Sequence, residues 1–206
     1  GMYTIFRQMG LFEKTGIDIP GEANSIMHNK KNVGAVELAT MSFGQSFQIT
    51  PLQLMRAASA AVNGGTLVTP HFGMKAVDSS GKTVKTFEFA KKKNVIKKET
   101  SETMRELLEA VVSEGSGRNC KIEGYSIGGK TATSEKLPRG TGKYISSFLG
   151  FSKAEHPTVM ALVMIDEPKG TYYGGTIAAP VVREVFKVAL PYLGISKDYT
   201  VDKTKK

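Results

Sequence analysis

Residues 125–133 read Tyr125-Ser-Ile-Gly-Gly-Lys-Thr-Ala-Thr133, and two further runs follow closely, Ile145-Ser-Ser-Phe-Leu-Gly-Phe151 and Thr158-Val-Met-Ala-Leu-Val-Met-Ile165. Each run is short, rich in β-branched or aromatic residues, and bounded by polar and turn-forming residues, which predicts three strands. The connections between them are short and polar. Parallel neighbours need a long crossover, so the strands are expected to pair antiparallel. The third run is almost continuously apolar, as expected for a strand covered on both faces.

Helical patterns flank this trio. Upstream, Met104, Leu107, Leu108, Val111 and Val112 recur at helical spacing over about 101–114, with Glu99 and Glu102 favouring the start and Gly115 the stop. Gly115-Ser-Gly117 reads as a flexible connection. Downstream, a closing helix is expected from Pro180, with Val181, Val185, Val188 and Ala189 on its apolar stripe. Further upstream, Thr50 is a cap, Pro51 suits a first helical position, and Asn63-Gly-Gly65 ends a helix whose core face carries Leu52, Met55, Ala58 and Val62. Between the first two helices, 72–77 and 83–89 form a hairpin pattern around Asp78-Ser-Ser-Gly81. The predicted class is α+β, an antiparallel sheet flanked by helices. A loop-rich lead-in is expected over 1–49, the main body over 50–195, and a polar, frayed tail over 196–206.

Bulk properties narrow the function classes. The 206 residues carry a formal net charge of +9, which favours anionic partners. The Lys30–Lys31, Lys91–Lys93 and Lys97–Lys98 groups lie beside turns, however, where solvation accounts for them, and no aromatic residues interleave with them to stack bases. No nucleic-acid partner is expected. Cys120 is the single cysteine, so neither an internal disulfide nor a cysteine-based metal site can form. His28, His71 and His156 are far apart and read as surface residues. No metal or cofactor site is expected. No run of about 18 apolar residues suggests a membrane span, and no secretory leader pattern is present.

One window carries chemistry. Gly124-Tyr-Ser-Ile-Gly-Gly-Lys-Thr131 fits the phosphate-loop pattern G-x-x-x-x-G-K-[ST] in every position. That pattern works at the start of a helix, and the residues after Thr131 include Pro138, Gly140 and Gly142, which oppose one. The other reading puts Lys130-Thr-Ala-Thr133 on an edge strand beside a carbonyl-attacking serine.

In that reading the stretch resembles the Lys-Thr-Gly box of penicillin-binding proteins and serine β-lactamases, whose other boxes are S-x-x-K and S-x-N. Ser42-Phe-Gly-Gln45, Ile49-Thr-Pro-Leu-Gln53, Gly64-Gly65 with Val68-Thr-Pro70, Gly128-Gly-Lys-Thr131, Ser147-Phe-Leu-Gly-Phe151, Asp166-Glu-Pro-Lys169 and Tyr172-Tyr-Gly-Gly-Thr-Ile-Ala-Ala-Pro180 recur in the family's order. The chain resembles the C-terminal half of the transpeptidase domain of a monofunctional, class B penicillin-binding protein of the division or sporulation type, from about Tyr3 to Gly194.

The resemblance implies part of a β-lactamase/transpeptidase-like fold. It implies a D,D-transpeptidase that cross-links peptidoglycan stem peptides through a serine acyl-enzyme and that β-lactams trap; the alternative is a non-catalytic binding domain of the cell envelope that keeps this half-fold as an interaction surface. Its substrate-binding residues would be Lys130, Thr131 and Thr133, holding the substrate carboxylate, and the backbone N–H of Thr133 would be one oxyanion donor. The parent protein is expected on the outer face of the cytoplasmic membrane, anchored by an N-terminal helix. Two departures follow. Ala132 stands where the family usually has glycine, and the S-x-x-K and S-x-N boxes are expected upstream of Tyr3. Ser79-Ser-Gly-Lys82 fits S-x-x-K formally but falls in the hairpin turn. The chain alone is therefore expected not to acylate itself, to need the missing N-terminal half as its partner, and to self-associate without it.

Overall fold

A computed structural model describes residues 1–152 and 156–198. The chain groups into two compact units, one over Gly1–Ser101 and one from Glu102 onward. The first contains α1 (Met2–Gln8), α2 (Ala35–Ser42), α3 (Pro51–Val62), β1 (Leu67–Val68), β2 (Lys75–Val77), β3 (Thr83–Thr86) and β4 (Lys91–Lys92). The boundary falls inside α4 (Lys98–Ser113), and the second unit continues through β5 (Ile127–Glu135), β6 (Tyr144–Ser152), β7 (Val159–Asp166), α5 (Gly174–Ile177) and α6 (Ala179–Tyr192).

Local chemistry sets the ends of α3. Thr50 Oγ1 accepts from the Gln53 N–H at 3.1 Å, while Gln53 Oε1 accepts from the Thr50 N–H at 2.8 Å, a reciprocal capping box with Pro51 at the first position. The buried face of this helix is Gln53, Ala57, Ala60 and Val62. It is rotated from the expected stripe, on which Leu52, Met55 and Ala58 are only half-buried. Gln53 can be buried because its polar atoms are used: Nε2 donates to Glu13 O at 2.7 Å. Ala60, Leu67 and Val95 form the small core here. The predicted hairpin is present as β2 and β3 around the Asp78 turn, whose Oδ1 accepts from the Ser80 and Lys82 N–H groups.

In the second unit the three predicted strands form one sheet in the order β5-β6-β7, antiparallel throughout and without a register shift. The central strand is β6, which is buried from Ser146 to Ser152. The apolar run expected to be covered on both faces is instead β7. Among the described residues β7 pairs only with β6, and Met164 on it is 44% exposed. Pairing order, not hydrophobicity, decides which strand is central. β6 can carry buried Ser146 there because Ser146 Oγ donates to Tyr172 O.

The helices follow the same lesson. On α6 the buried stripe is Ala179, Val182, Phe186 and Leu190, packed with Phe148, Cys120 and Val112. The expected stripe is on the other side: Val181, Val185 and Val188 are 43%, 46% and 74% exposed. On α4, Val112 is buried but Leu107 is 59% exposed. Both helices therefore carry apolar residues around more of their circumference than these contacts cover. Ile195 to Asp198 return to the sheet: Tyr125 Oη donates to Ile195 O at 3.1 Å and the Asp198 carboxylate accepts from Ser126 N and Oγ. The rest of the expected tail, 199–206, lies outside the described residues.

Candidate active-site edge

Gly128 and Gly129 follow Ile127 at the start of the strand that carries the motif, and β6 requires them there. A Cβ on Gly128 would lie 2.2 Å from the Phe151 ring, and one on Gly129 would lie 2.5 Å from the Phe148 ring and 2.7 Å from Leu149 O. Glycine lets β5 and β6 approach under these buried rings. These are strand glycines, and the Lys-Thr that follows continues the strand to Glu135. The phosphate-loop reading fails on this point, since Thr131 is followed by strand and not by the first turn of a helix.

The phase of the β-ladder fixes where the motif's backbone points. Lys136 N–H donates to Lys143 O at 2.8 Å, in continuation of the Glu135–Tyr144 register. In an antiparallel ladder successive residues alternate between facing the partner and facing away. Ser134, Ala132 and Lys130 therefore direct their N–H groups at β6, and Thr133 and Thr131 direct theirs, with their carbonyls, to the opposite edge. Among the described residues no strand pairs on that edge. Lys130 Nζ sits on it as well, donating to Thr131 O at 2.9 Å.

Side chains alternate across the sheet. Lys130 and Ala132 are exposed on one face, and Thr131 and Thr133 are half-buried on the other. The threonines line a cavity of about 270 Å³ together with Ser116, Arg118, Asn119 and Tyr173. Thr133 Oγ1 accepts from the Gly174 N–H at 3.2 Å, which leaves its hydroxyl proton to donate elsewhere. Thr131 Oγ1 lies 3.3 Å from Ser116 Oγ. Gly174 is held against the strand: a Cβ there would lie 2.2 Å from Ser147 O and 2.5 Å from Ala132 O.

All three motif residues named from the sequence thus meet along one strand, the lysine ammonium and Thr133 N–H at its edge and the hydroxyls in the adjoining cavity. Reading the sequence missed Ser116, Arg118 and Asn119 as site residues. The Gly115-Ser-Gly117 connection, expected to be flexible, is packed, and Arg118 and Asn119 continue its turn. Gly117 N–H donates to Val111 O at 2.9 Å, Arg118 Nε donates to Gly115 O at 3.2 Å, and Asn119 Nδ2 donates to Gly175 O at 2.8 Å. The available signal was Cys120, a small apolar residue anchoring the turn in the core at 0% exposure.

The fold defines the class first: it is that of transpeptidase domains with the β-lactamase-like fold. Residues 1–187 match the penicillin binding protein transpeptidase domain, and the chain belongs to that family. It is similar to stage V sporulation protein D of Bacillus subtilis (strain 168), 45% identical over 199 residues, covering 94% of this chain and 31% of that protein. It is similar also to the probable peptidoglycan D,D-transpeptidase PenA of Neisseria flavescens, 34% identical over 200 residues, covering 95% of this chain and 47% of that one. The crystal structure of penicillin-binding protein 3 from Mycobacterium tuberculosis complexed with ampicillin shares the fold, with a TM-score of 0.85 at 24% identity over 98% of this chain and 47% of that chain. The chain thus spans about a third to a half of the length of these curated relatives.

Proposed function

We propose that this chain forms one wall of the acyl-transfer site of a peptidoglycan D,D-transpeptidase that cross-links stem peptides and is trapped by β-lactams. The serine nucleophile, its lysine base and the second serine come from a segment of the whole protein outside this chain. General-base activation of a serine needs those groups within hydrogen-bond reach of one another.

The observation that carries the reading is the ladder phase, which turns Thr133 N–H to the edge of β5 away from β6, unpaired among the described residues, beside the Lys130 ammonium. An edge N–H held by a sheet needs no reorganisation when a carbonyl oxygen beside it becomes an oxyanion. Losing one such donor typically costs about 2.7–4 kcal/mol of transition-state stabilisation. Lys130 and the hydroxyls of Thr131 and Thr133 hold the terminal carboxylate of the donor peptide, or of a β-lactam, through charge-assisted bonds. Ala132 directs its N–H into the ladder and its methyl to the Lys130 face, so a glycine is not needed for either hydrogen-bonding role. The whole protein works on the outer face of the cytoplasmic membrane, held by an anchor outside this chain. No helix among the described residues is long and apolar enough to cross a membrane.

The test compares Lys130→Ala with Lys97→Ala in the intact transpeptidase, by rate of acylation with a fluorescent penicillin. Lys130→Ala is expected to slow acylation at least about tenfold, the loss of one charge-assisted partner. Lys97→Ala removes only an exposed surface charge and is expected to leave the rate unchanged. Equal rates in the two variants would remove Lys130 from the site.

A further inference from the structure

The cavity beside β5 contains a cation that the motif does not name. Its lining has hydroxyl, amide and glycine positions, one tyrosine and Arg118, and no carboxylate. Lys130 is not among those lining residues; its ammonium is engaged at the strand edge with Thr131 O. Arg118 Nε is tied to Gly115 O at 3.2 Å, and among the described residues no hydrogen bond or ion pair engages its two terminal nitrogens. A guanidinium with a free pair of donors beside two threonine hydroxyls is the geometry that planar anions select.

The turn that presents Arg118 is rigid on two sides. A Cβ on Gly117 would lie 3.1 Å from the Phe148 ring, and one on Gly175 would lie 2.4 Å from Ser116 O. With Asn119 Nδ2 on Gly175 O and Ser116 Oγ against Thr131 Oγ1, the turn is clamped to both the strand and α5. Arg118 is therefore held at the hydroxyl side of the strand while Lys130 occupies the edge.

We propose that Arg118 is a second cationic contact for the terminal carboxylate of the donor peptide, acting with the hydroxyls of Thr131 and Thr133. This rests on the carboxylate-binding role given above to the motif. It makes Arg118 a binding and specificity residue: it selects substrates that end in a free carboxylate and takes no part in proton transfer.

The experiment uses the intact transpeptidase and a matched pair of probes, a penicillin with its free carboxylate and the methyl ester of the same penicillin. Arg118→Gln is expected to lower the acylation rate constant for the acid by about 10- to 100-fold, the size of one hydrogen bond to a charged group. The ester rate is expected not to change, so the preference for acid over ester shrinks. Arg118→Lys keeps the charge and is expected to restore a large part of that preference. Equal losses on acid and ester would make Arg118 a structural residue and overturn the proposal. So would an unchanged preference in Arg118→Gln, or an Arg118→Lys variant no better than the glutamine. A Lys130→Ala arm separates the two levels. If it erodes the preference for the acid while Arg118→Gln does not, only the role of Arg118 fails. If the wild type shows no preference, or Lys130→Ala leaves the preference intact, the motif's carboxylate role fails first and this proposal with it.

Discussion

Ala132 stands where the resemblance implies a glycine, and its surroundings say what a methyl group does there. Its side chain is exposed and its N–H is turned toward β6, so the methyl group competes with neither Thr133 N–H nor the threonine hydroxyls. In the intact transpeptidase, Ala132→Gly is expected to acylate as fast as the parent or faster, at a stability cost of up to roughly 1 kcal/mol from the looser strand. Stopped-flow acylation beside a thermal melt measures both. Slower acylation at an unchanged melting point would mean that the methyl group shapes the cleft. Cys120 is the opposite case, a reactive residue type made inert. Burial pushes its thiol up to about 12, against a partial lowering by Arg183. The thiolate is the nucleophile, so Cys120 is expected to ignore a disulfide reagent at pH 8 in the folded chain and to react once denaturant is added. Prompt reaction without denaturant would show that the turn at 115–120 opens.

At the scale of elements, β5 is positioned by what lies on either side of it. Phe148 and Phe151 press on its two glycines, and Gly174 brings α5 within van der Waals range of its backbone. Gly129→Ala forces a methyl group against the Phe148 ring and Leu149 O. Overpacking of this kind typically costs about 1–3 kcal/mol, and the displaced strand carries Thr133 with it. The expected result is a lower urea midpoint together with slower acylation in the intact transpeptidase. An unchanged midpoint would refute the packing account. Ion pairing is a lesser influence: Lys136 holds Asp166 and Glu167 at 2.9 and 2.8 Å where β5 and β7 end, and these groups are exposed enough for solvent to screen them.

At the scale of the whole molecule, the second unit carries apolar surface that its own contacts leave uncovered. Val181, Val185, Val188 and Tyr192 run along one side of α6, the last 87% exposed, and β7 has a free edge among the described residues. Apolar stripes of this extent and unpaired edges both favour association with further chain. The chain on its own is expected to form dimers or larger species at micromolar concentration, and light scattering measures it. A clean monomer that binds no hydrophobic dye would refute this. Adding the rest of the transpeptidase domain in one polypeptide is expected to abolish the association, because the same surfaces are then covered from within.

Periodicity and composition made most of the longer elements legible: three antiparallel strands, the capped helix at Thr50, the hairpin at Asp78 and the helices at 98–113 and 179–192, whereas α1 and α2 within the expected loop-rich lead-in, the β1–β4 pair and α5 were not read. The motif at Lys130 was legible too, because strand pleating puts Thr131 and Thr133 on one face wherever that strand occurs. What the sequence left open was which apolar face each helix buries and which strand is central. Val181, Val185 and Val188 have the same spacing as Val182, Phe186 and Leu190 within one residue, and only the position of Phe148 on β6 selects the second set. Likewise Gly115-Ser-Gly117 looked flexible because glycine permits many conformations, while the Phe148 ring and the Gly175 carbonyl that help to restrict this turn come from residues far along the chain. Local sequence determined what each segment could become. Tertiary contact decided which side of it was used, because burial belongs to pairs of surfaces and a single segment supplies only one of them.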